Sequence, residues 1–521
     1  MRTVETVLFL VVVATIVATF ARRLRVPAPS LLVVAGVAVG LVPGVPAVEV
    51  TPELVSLVVL PPLLFAAGEE LPWRDLRAVW RPVTVLAVGL VAVSALVVGM
   101  VAVALTPLPL GMAFVLGAVL ASTDPVAVTA LGRRLSLPPR LQALVQAESL
   151  FNDATSLLLF RVALSLAVVT GAVSWGRELG EFAVLAGGGV LAGVLAAAGA
   201  YLIRRRTEDP VLEAVVSLVT PYAAYVAAEA VGGSGVTAVV VASVILGTQA
   251  TRLTTAPIRL QLAAVSGTVV FLLESVVFGL IGLQLPALVG RMRDEGAAAS
   301  WLLPALAITA TLLVVRVLWM YPLAAIAQRR RGGRRLSWQV PVVVTWAGTR
   351  GVVPLAATLS IPFTMDDGSP LPYRDLVLAL AIAVIVITLV VQGFTLAPLV
   401  RRAGVAMDPA HVDREHATAR ARLAEAGIAH LDALAESETI PELVREQLRR
   451  SWQARLDRLL TDEAEQAGEN RAGAYRDLRR ELLAVEGAEL NRLYEAGAIT
   501  DTTRRRIQRT LDLENAGLGD D

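Results

Sequence analysis

The chain has 521 residues, of which 55% are hydrophobic and only 17% are charged, and its formal net charge at pH 7 is +1. This composition excludes an ordinary soluble protein and is typical of an integral membrane protein. Cysteine and lysine are absent, so all 46 basic residues are arginine. Thiol chemistry is thereby excluded, and proton exchange inside the membrane falls to carboxylates, because arginine stays protonated at physiological pH.

The apolar residues form blocks long enough to cross a bilayer, which takes about 17–25 mostly apolar residues per helix. The first block is a retained helix and not a signal peptide, because its arginine cluster follows the apolar run. We predict thirteen transmembrane helices, at residues 4–20, 28–42, 51–68, 82–105, 110–131, 141–170, 180–203, 211–230, 234–249, 262–285, 299–327, 339–361 and 376–400.

Arginine alternates between dense and sparse connections along these helices. The dense set holds 21 arginines. It consists of every second connection, starting with the one after the first helix, and of the segment that follows the last helix. The remaining connections and the N-terminus hold five. By the positive-inside rule, the dense connections are cytoplasmic. We therefore predict a multi-pass plasma-membrane protein with its N-terminus outside and its C-terminus in the cytoplasm.

The fifth block is interrupted by the run Ala121-Ser122-Thr123-Asp124-Pro125. Pro125 lacks an N–H and clashes with the carbonyl of Ala121, so we expect the helix to break and to expose backbone oxygens. Asp124 would then lie at the positive N-terminus of the following half-helix, where a carboxylate is stabilised.

The sixth block contains a stripe of oxygen-bearing side chains. At 100° per residue, these side chains fall within about 140° of one another on a helix. They are Glu148, Ser149, Asn152, Asp153 and Ser156. A seam of helix–helix hydrogen bonds would explain the serines but not two carboxylates within five residues, because ionisable groups at membrane depth are costly. We therefore predict a binding site on this face.

The twelfth block contains a second Gly/Pro interruption, Gly348-Thr349-Arg350-Gly351-Val352-Val353-Pro354. Paired interruptions in two halves of a chain predict inverted repeats, with the site where the two interrupted helices cross. Arg350 needs a carboxylate partner, and Glu148 is the leading candidate. Eight ionisable residues lie within the predicted helices: Asp124, Glu148, Asp153, Arg161, Glu229, Glu274, Arg316 and Arg350.

Composition changes near residue 403, where a charge-rich segment of helical periodicity begins. This segment holds 17 arginines and 24 acidic residues, a net charge of about −7. We predict a transmembrane domain at residues 1–402 and a soluble, mainly helical cytoplasmic domain at residues 403–521. A regulatory or dimerising role for the second domain stays open.

Four runs of the sequence resemble those of the monovalent cation/proton antiporters of the sodium/proton exchanger type, in its bacterial branch. They are Leu60-Pro61-Pro62-Leu63-Leu64-Phe65, Thr123-Asp124-Pro125-Val126-Ala127-Val128, Glu148-Ser149-Leu150-Phe151-Asn152-Asp153-Ala154 and Gly348-Thr349-Arg350-Gly351-Val352-Val353. They occur in the family's order, and the similarity extends over residues 1–402. The resemblance implies an all-α fold of thirteen helices with inverted repeats, a homodimer and an elevator-like alternating-access motion.

The resemblance also implies roles for individual residues. Asp153 is the shared site for cation and proton and Asn152 is its neighbour, while Ser149 and the region of Thr123 and Asp124 supply further oxygens. Transported sodium would then be held by Asp153, Ser149 and Thr123. Glu148 pairs structurally with Arg350. Three acidic residues are possible accessories: Glu274, which matches an acidic position of the eukaryotic exchangers, and Glu69 and Glu70, which depart from the family's usual residues.

We therefore expect a transporter that exchanges sodium or lithium for protons, without enzymatic activity, cofactor or nucleic-acid partner. Exchange is expected to be electroneutral, because Asn152 stands where electrogenic relatives have a second aspartate and the chain has no lysine. Two alternatives stay open: a potassium/proton antiporter on the same fold and a non-transporting membrane sensor. An intramembrane aspartyl protease is disfavoured, because its motif, Gly517-Leu518-Gly519-Asp520, lies in a polar tail.

Overall fold

In the described part of the chain, the computed structural model consists of helices joined by turns and irregular segments, with two isolated β-bridges. The described residues are 12–17, 19–20, 23, 28–42, 55–71, 73–124, 137–168, 175–207, 209–294, 301–330, 338–365, 368–405, 409–437, 441–462, 468–496 and 498–517. They divide between two compact units, Met1–Ala406 and Met407–Asp521. The all-α fold predicted from the sequence is confirmed.

Thirteen helical elements of the first unit are numbered here in chain order. The first seven are α1 (Ala28–Gly40), α2 (Leu60–Glu69), α3 (Trp73–Leu105), α4 (Leu110–Ala121), α5 (Pro139–Val168), α6 (Trp175–Arg204) and α7 (Pro210–Ala230). The other six are α8 (Gly235–Leu253), α9 (Ala256–Asp294), α10 (Leu302–Arg330), α11 (Gln339–Trp346), α12 (Val352–Leu359) and α13 (Arg374–Ala403). Short π-helical turns precede α2 at Val55–Val59 and lie within α3 at Val85–Leu90.

Seven helical segments among the described residues are long and apolar enough to cross a membrane. They belong to α3, α5, α6, α7, α9, α10 and α13, and shorter apolar helices include α1, α2, α4 and α8. Each coincides with a block that the hydropathy of the sequence indicates. Of the predicted first helix, residues 12–17 and 19–20 are helical and the rest lies outside the described residues. The total of thirteen membrane helices therefore stays a prediction.

Glycines set the distance between several helices. A Cβ at Gly36 of α1 would come within 3 Å of Gly282 Cα in α9. A Cβ at Gly193 of α6 would come within 3 Å of Val241 Cβ in α8. Without a hydrophobic force between helices in lipid, such small residues allow backbones to approach and gain dispersion contacts.

The two interrupted helices meet where their chains leave helical geometry. α4 ends at Ala121, and Ser122 after it is extended. The Asp124 N–H donates to the Thr349 carbonyl at 2.8 Å, and the Thr349 hydroxyl donates to the Asp124 carbonyl at 2.9 Å. The predicted breaks thus form an antiparallel bridge between two extended strands of backbone. Pro125 and the half-helix expected after it lie outside the described residues.

The described residues of the second unit form four helices, α14 (Pro409–Ser437), α15 (Glu442–Asp462), α16 (Gly468–Glu495) and α17 (Asp501–Gly517). Most of their described side chains are at least partly exposed, with Ala424, Leu483 and Leu490 among the few that are buried. An ion pair of 3.2 Å between Asp432 and Arg449 links α14 to α15. The cytoplasmic location of this unit, and the domain boundary after residue 402, stay predictions.

Candidate functional site

The polar stripe predicted for the sixth block lies on α5 and is buried. Its members Glu148, Ser149, Asn152, Asp153 and Ser156 each expose no more than 6% of their surface. The Ser156 hydroxyl donates to the Ala118 carbonyl of α4 at 2.7 Å, so the stripe faces the interrupted helix. Five polar side chains therefore occupy the protein interior at the point where the helices cross.

Two of these side chains hold the broken end of α4. The Ser149 hydroxyl donates to the Thr123 carbonyl at 2.6 Å, and the Asn152 amide donates to the Thr123 hydroxyl at 2.7 Å. The Thr123 N–H in turn donates to the Asn152 carbonyl oxygen at 3.4 Å. α5 thereby fixes backbone that the interruption has freed from helical bonding. A carbonyl oxygen has two lone pairs, so Thr123 can still accept a second ligand.

Asp153 Oδ1 is buried and has no hydrogen-bond partner among the described residues, and unlike Glu148 on the same stripe, which is ion-paired with Arg316, Asp153 has no ion pair there either. The carboxyl lies near the Ser122 side chain and within electrostatic range of Asp124. A buried carboxylate without a donor is costly as a bare anion, and it is stabilised when a proton or a cation binds. Asp153 thus has the properties expected of an exchangeable site.

Asp124 acts on the other interrupted helix. Its Oδ2 accepts the N–H of Val352, the first residue of α12, at 3.1 Å. A Cβ at Gly351 would overlap this carboxylate, so glycine is required there. The negative charge lies at the positive end of the α12 dipole, where it is stabilised. The sequence predicted Asp124 at the N-terminus of the half-helix that follows it, which lies outside the described residues. In the structure, Asp124 caps α12.

The predicted ion pair of Glu148 with Arg350 is wrong. Glu148 Oε1 lies 2.7 Å from Nη1 of Arg316 on α10, and both side chains are buried. The Arg316 guanidinium also donates to the Val344 carbonyl of α11, from Nε at 3.3 Å and from Nη2 at 3.2 Å. Arg316 was recognised as an ionisable residue within an apolar block, but its partner depends on how α10 packs beside α5.

Arg350 is held by hydrogen bonds to backbone carbonyls, and Glu148 acts on it only through its charge at longer range. Its Nε donates to the Leu120 carbonyl at 3.1 Å, and its Nη1 donates to the Gly348 carbonyl. The last carbonyls of a helix lack partners within the helix and carry partial negative charge. Arg350 therefore compensates the C-terminal end of α4, as Asp124 compensates the N-terminal end of α12.

Thr388 on α13 is a contact that the sequence did not single out. Its hydroxyl accepts the Arg350 N–H at 3.3 Å. The signal available was a lone hydroxyl in the middle of a long apolar run, which is too common to be diagnostic. Together with Thr349 and Gly351, it holds the second interruption in place.

The three accessory acids are placed differently from one another. Glu69 accepts from Arg204 Nη1 at 3.1 Å, and the same guanidinium donates from Nε to Glu213 at 2.8 Å. Glu69 is thus paired with Arg204. Glu274 is half-buried on α9 and interacts electrostatically with Asp124 and with Glu70, which is exposed.

The crossing offers a carboxylate, a hydroxyl and a carbonyl oxygen close together, from Asp153, Ser149 and Thr123. Oxygen ligands of this kind suit hard cations. Charges that serve the architecture, on Asp124, Glu148, Arg316 and Arg350, are bonded to helix ends or to one another. The arrangement can therefore bind one cation or one proton at Asp153 while the surrounding charges stay compensated.

Known proteins are similar to this one in sequence over most of the chain. The family model described as "Sodium/hydrogen exchanger, transmembrane" matches residues 9–402. The "Na(+)/H(+) antiporter ApNhaP" of Aphanothece halophytica is 32% identical over 80% of this chain and 77% of that protein. The "Sodium, potassium, lithium and rubidium/H(+) antiporter" of Bacillus pumilus is 33% identical over 71% of this chain and 57% of its own length.

A solved structure shares the fold. The sodium proton antiporter MjNhaP1 of Methanocaldococcus jannaschii superposes with a TM-score of 0.62 and 19% identity, over 77% of this chain and 99% of that one. At this identity the structural similarity establishes the fold alone. The family match extends over the transmembrane blocks and both interruptions. The chain is a multi-pass membrane protein that belongs to the sodium/hydrogen exchanger family.

Proposed function

We propose that the chain exchanges sodium for protons across the membrane, and that the two ions compete for the carboxyl group of Asp153. The observation that supports this most directly is the buried Oδ1 of Asp153, which lacks a partner among the described residues. The carboxylate is neutralised by whichever ion is present. Exchange follows when the site changes sides only in a neutralised, loaded form.

Sodium would be held by the Asp153 carboxylate, the Ser149 hydroxyl and the Thr123 carbonyl. Ser149 and Asn152 position the Thr123 backbone through the hydrogen bonds of 2.6 and 2.7 Å. Asp124 orients the crossing by capping α12. Glu274 lies within electrostatic range of Asp124 and is the accessory acid best placed to affect ion binding.

The exchange is one cation for one proton. Residue 152 is asparagine and the chain has no lysine, so Asp153 is the titrating ligand on the stripe. The loaded site then has the same net charge with either ion, and a membrane potential does no net work on the cycle.

A potassium/proton antiporter is the second candidate. The Bacillus pumilus relative is named for sodium, potassium, lithium and rubidium, and this chain matches 57% of its length. Carboxylate, hydroxyl and carbonyl ligands accept all four ions, because ligand type alone does not select ion size. Flux measured with each cation in turn separates the two candidates.

The topology that we propose places the N-terminus outside, the C-terminal helices in the cytoplasm and the protein in the plasma membrane as a homodimer. The distribution of 21 arginines against five supports the orientation. Under this topology α5 and α7 both run from the cytoplasm to the outer surface.

The test is sodium-driven proton movement in proteoliposomes, followed with a pH-sensitive dye. Asp153→Asn keeps the side-chain shape and removes the charge, so exchange should be lost in a folded protein. The matched control is Asp209→Asn, because Asp209 caps α7 at the surface and asparagine is an equally good cap. Substantial exchange by Asp153→Asn would overturn the assignment, and absence of flux with any cation in the unmodified chain would favour a sensor.

A further inference from the structure

Arg161 lies on the same helix as Asp153, eight residues farther along α5. Eight residues span about 12 Å along an α-helix and about 80° around it, so the two side chains lie on neighbouring parts of one face. Leu157 lies between them, four residues from each, and is 6% exposed. In the proposed topology, Arg161 therefore lies between Asp153 and the outer surface of the membrane.

Arg161 reaches from α5 to α7, where it forms a two-pronged ion pair with Glu229. Its Nη1 donates to Glu229 Oε2 at 3.3 Å, and its Nη2 donates to Oε1. Glu229 Oε1 also accepts the Gly235 N–H at the start of α8, at 3.1 Å. Tyr225, one turn before Glu229, interacts with both Arg161 and Ser56. Glu229 is thus held by α7 and by the start of α8, and Arg161 reaches it from α5.

The pair connects two helices that pack mainly on different neighbours. α5 packs mainly on α3 and α4, which surround the crossing, whereas α7 packs mainly on α6, α8 and α9. The Arg161 and Glu229 side chains are 29% and 38% exposed. Both residues lie within apolar helices, where an ionisable side chain is costly, so each is a candidate for a role in the transport pathway.

We propose that Arg161 and Glu229 form the outer closure of the transport pathway, a positioning pair that is made while Asp153 faces the cytoplasm and separates when Asp153 faces outside. The inference rests on the proposed function, because a carrier must expose its site to each side in turn by moving one bundle against the other. Loss of the pair removes an interaction of one state and shifts the population toward the other.

The first test measures access to the pathway and does not require transport. The chain has no cysteine, so Leu157→Cys provides a single reporter for a membrane-impermeant thiol reagent applied from outside. Arg161→Gln and Glu229→Gln should each increase the labelling rate several-fold. Asp375→Asn is the matched control, since it removes an exposed acid at the start of α13 and should leave the rate unchanged. Equal rates in all four proteins would overturn the proposal.

The second test locks the closure. Arg161→Cys and Glu229→Cys are combined in the otherwise unchanged chain and joined with a reducible bifunctional thiol reagent. Exchange should fall with the extent of cross-linking and return after reduction, while either single variant is unaffected by the reagent. Efficient cross-linking with unchanged exchange would also overturn the proposal. If Asp153→Asn retained transport while the labelling rates changed as expected, the site assignment would fail and the closure would stand.

Discussion

Two buried arginines of the membrane unit, Arg350 and Arg204, are compensated differently. At the crossing, Arg350 donates to the carbonyl oxygens of Leu120 and Gly348, which belong to interrupted backbone. Between α2, α6 and α7, Arg204 donates to two carboxylates, Glu69 and Glu213. Arg204 is the last residue of α6, Glu69 ends α2 and Glu213 lies in the first turn of α7, so this cluster joins three helix ends through side chains.

The difference explains how a carboxylate can stay available at the crossing. Helix ends hold Arg350 and Asp124 by hydrogen bonds and partial charges, and Arg350 forms no direct ion pair with a side chain among the described residues. Asp153 is therefore not recruited into an architectural ion pair. In the second region both acids are bonded to the guanidinium, and the cluster joins three helices.

The pair between Glu148 and Arg316 is the one side-chain ion pair that we assign to the crossing, and breaking it should have the largest effect on stability. Glu148→Ala or Arg316→Ala strands a buried charge, at a cost of about 3–5 kcal/mol. The double variant should lose less than the sum of the single variants, because the partners are coupled. Folded yield and thermal unfolding in detergent measure this. Additive losses would contradict the pairing.

Gly351→Ala tests whether the hydrogen bond of Asp124 to the first turn of α12 requires a residue without a Cβ at position 351. The added Cβ overlaps the Asp124 carboxylate, so the crossing must shift, at a cost of about 1–3 kcal/mol. We expect weaker exchange and a lower unfolding temperature. Gly267→Ala is the matched control, because its Cβ meets no atom within 4 Å. Equal behaviour of the two variants would show that Asp124 is not held in this position.

Glu69→Gln tests whether the second region is architectural only. Arg204 keeps its bond to Glu213, and Glu69 is 20% exposed, so the loss of stability should be below about 1 kcal/mol. The sodium concentration that gives half-maximal exchange should not change. A shifted sodium dependence at unchanged stability would place Glu69 in the ion pathway.

The membrane potential should not change the rate of sodium-driven proton movement. One net charge moved across the membrane would be worth about 2.3 kcal/mol per 100 mV. Proteoliposomes clamped with potassium and valinomycin, with a sodium gradient imposed, provide the measurement, and Asp153→Asn provides the background. Proton movement that follows the potential would reveal a second titrating group, to be sought first at Glu274.

Much of the fold could be predicted because its signals are local. Hydropathy located the long helices, and Pro125 and the Gly348–Pro354 run located both interruptions, because a missing N–H or Cβ acts on the adjacent backbone. Helical periodicity placed Glu148, Asn152 and Asp153 on one buried face. These properties depend on residues within a few turns of each other.

Local sequence signals therefore identified the membrane class, the two interruptions and the polar stripe that contains Asp153. Packing between helices selected the other contacts: Glu148 pairs with Arg316, Arg350 is held by carbonyls and Asp124 caps α12. Glu69 and Glu213 meet at Arg204 for the same reason. In each case several partners of suitable charge were available, and the choice depends on packing between helices that are far apart in the chain.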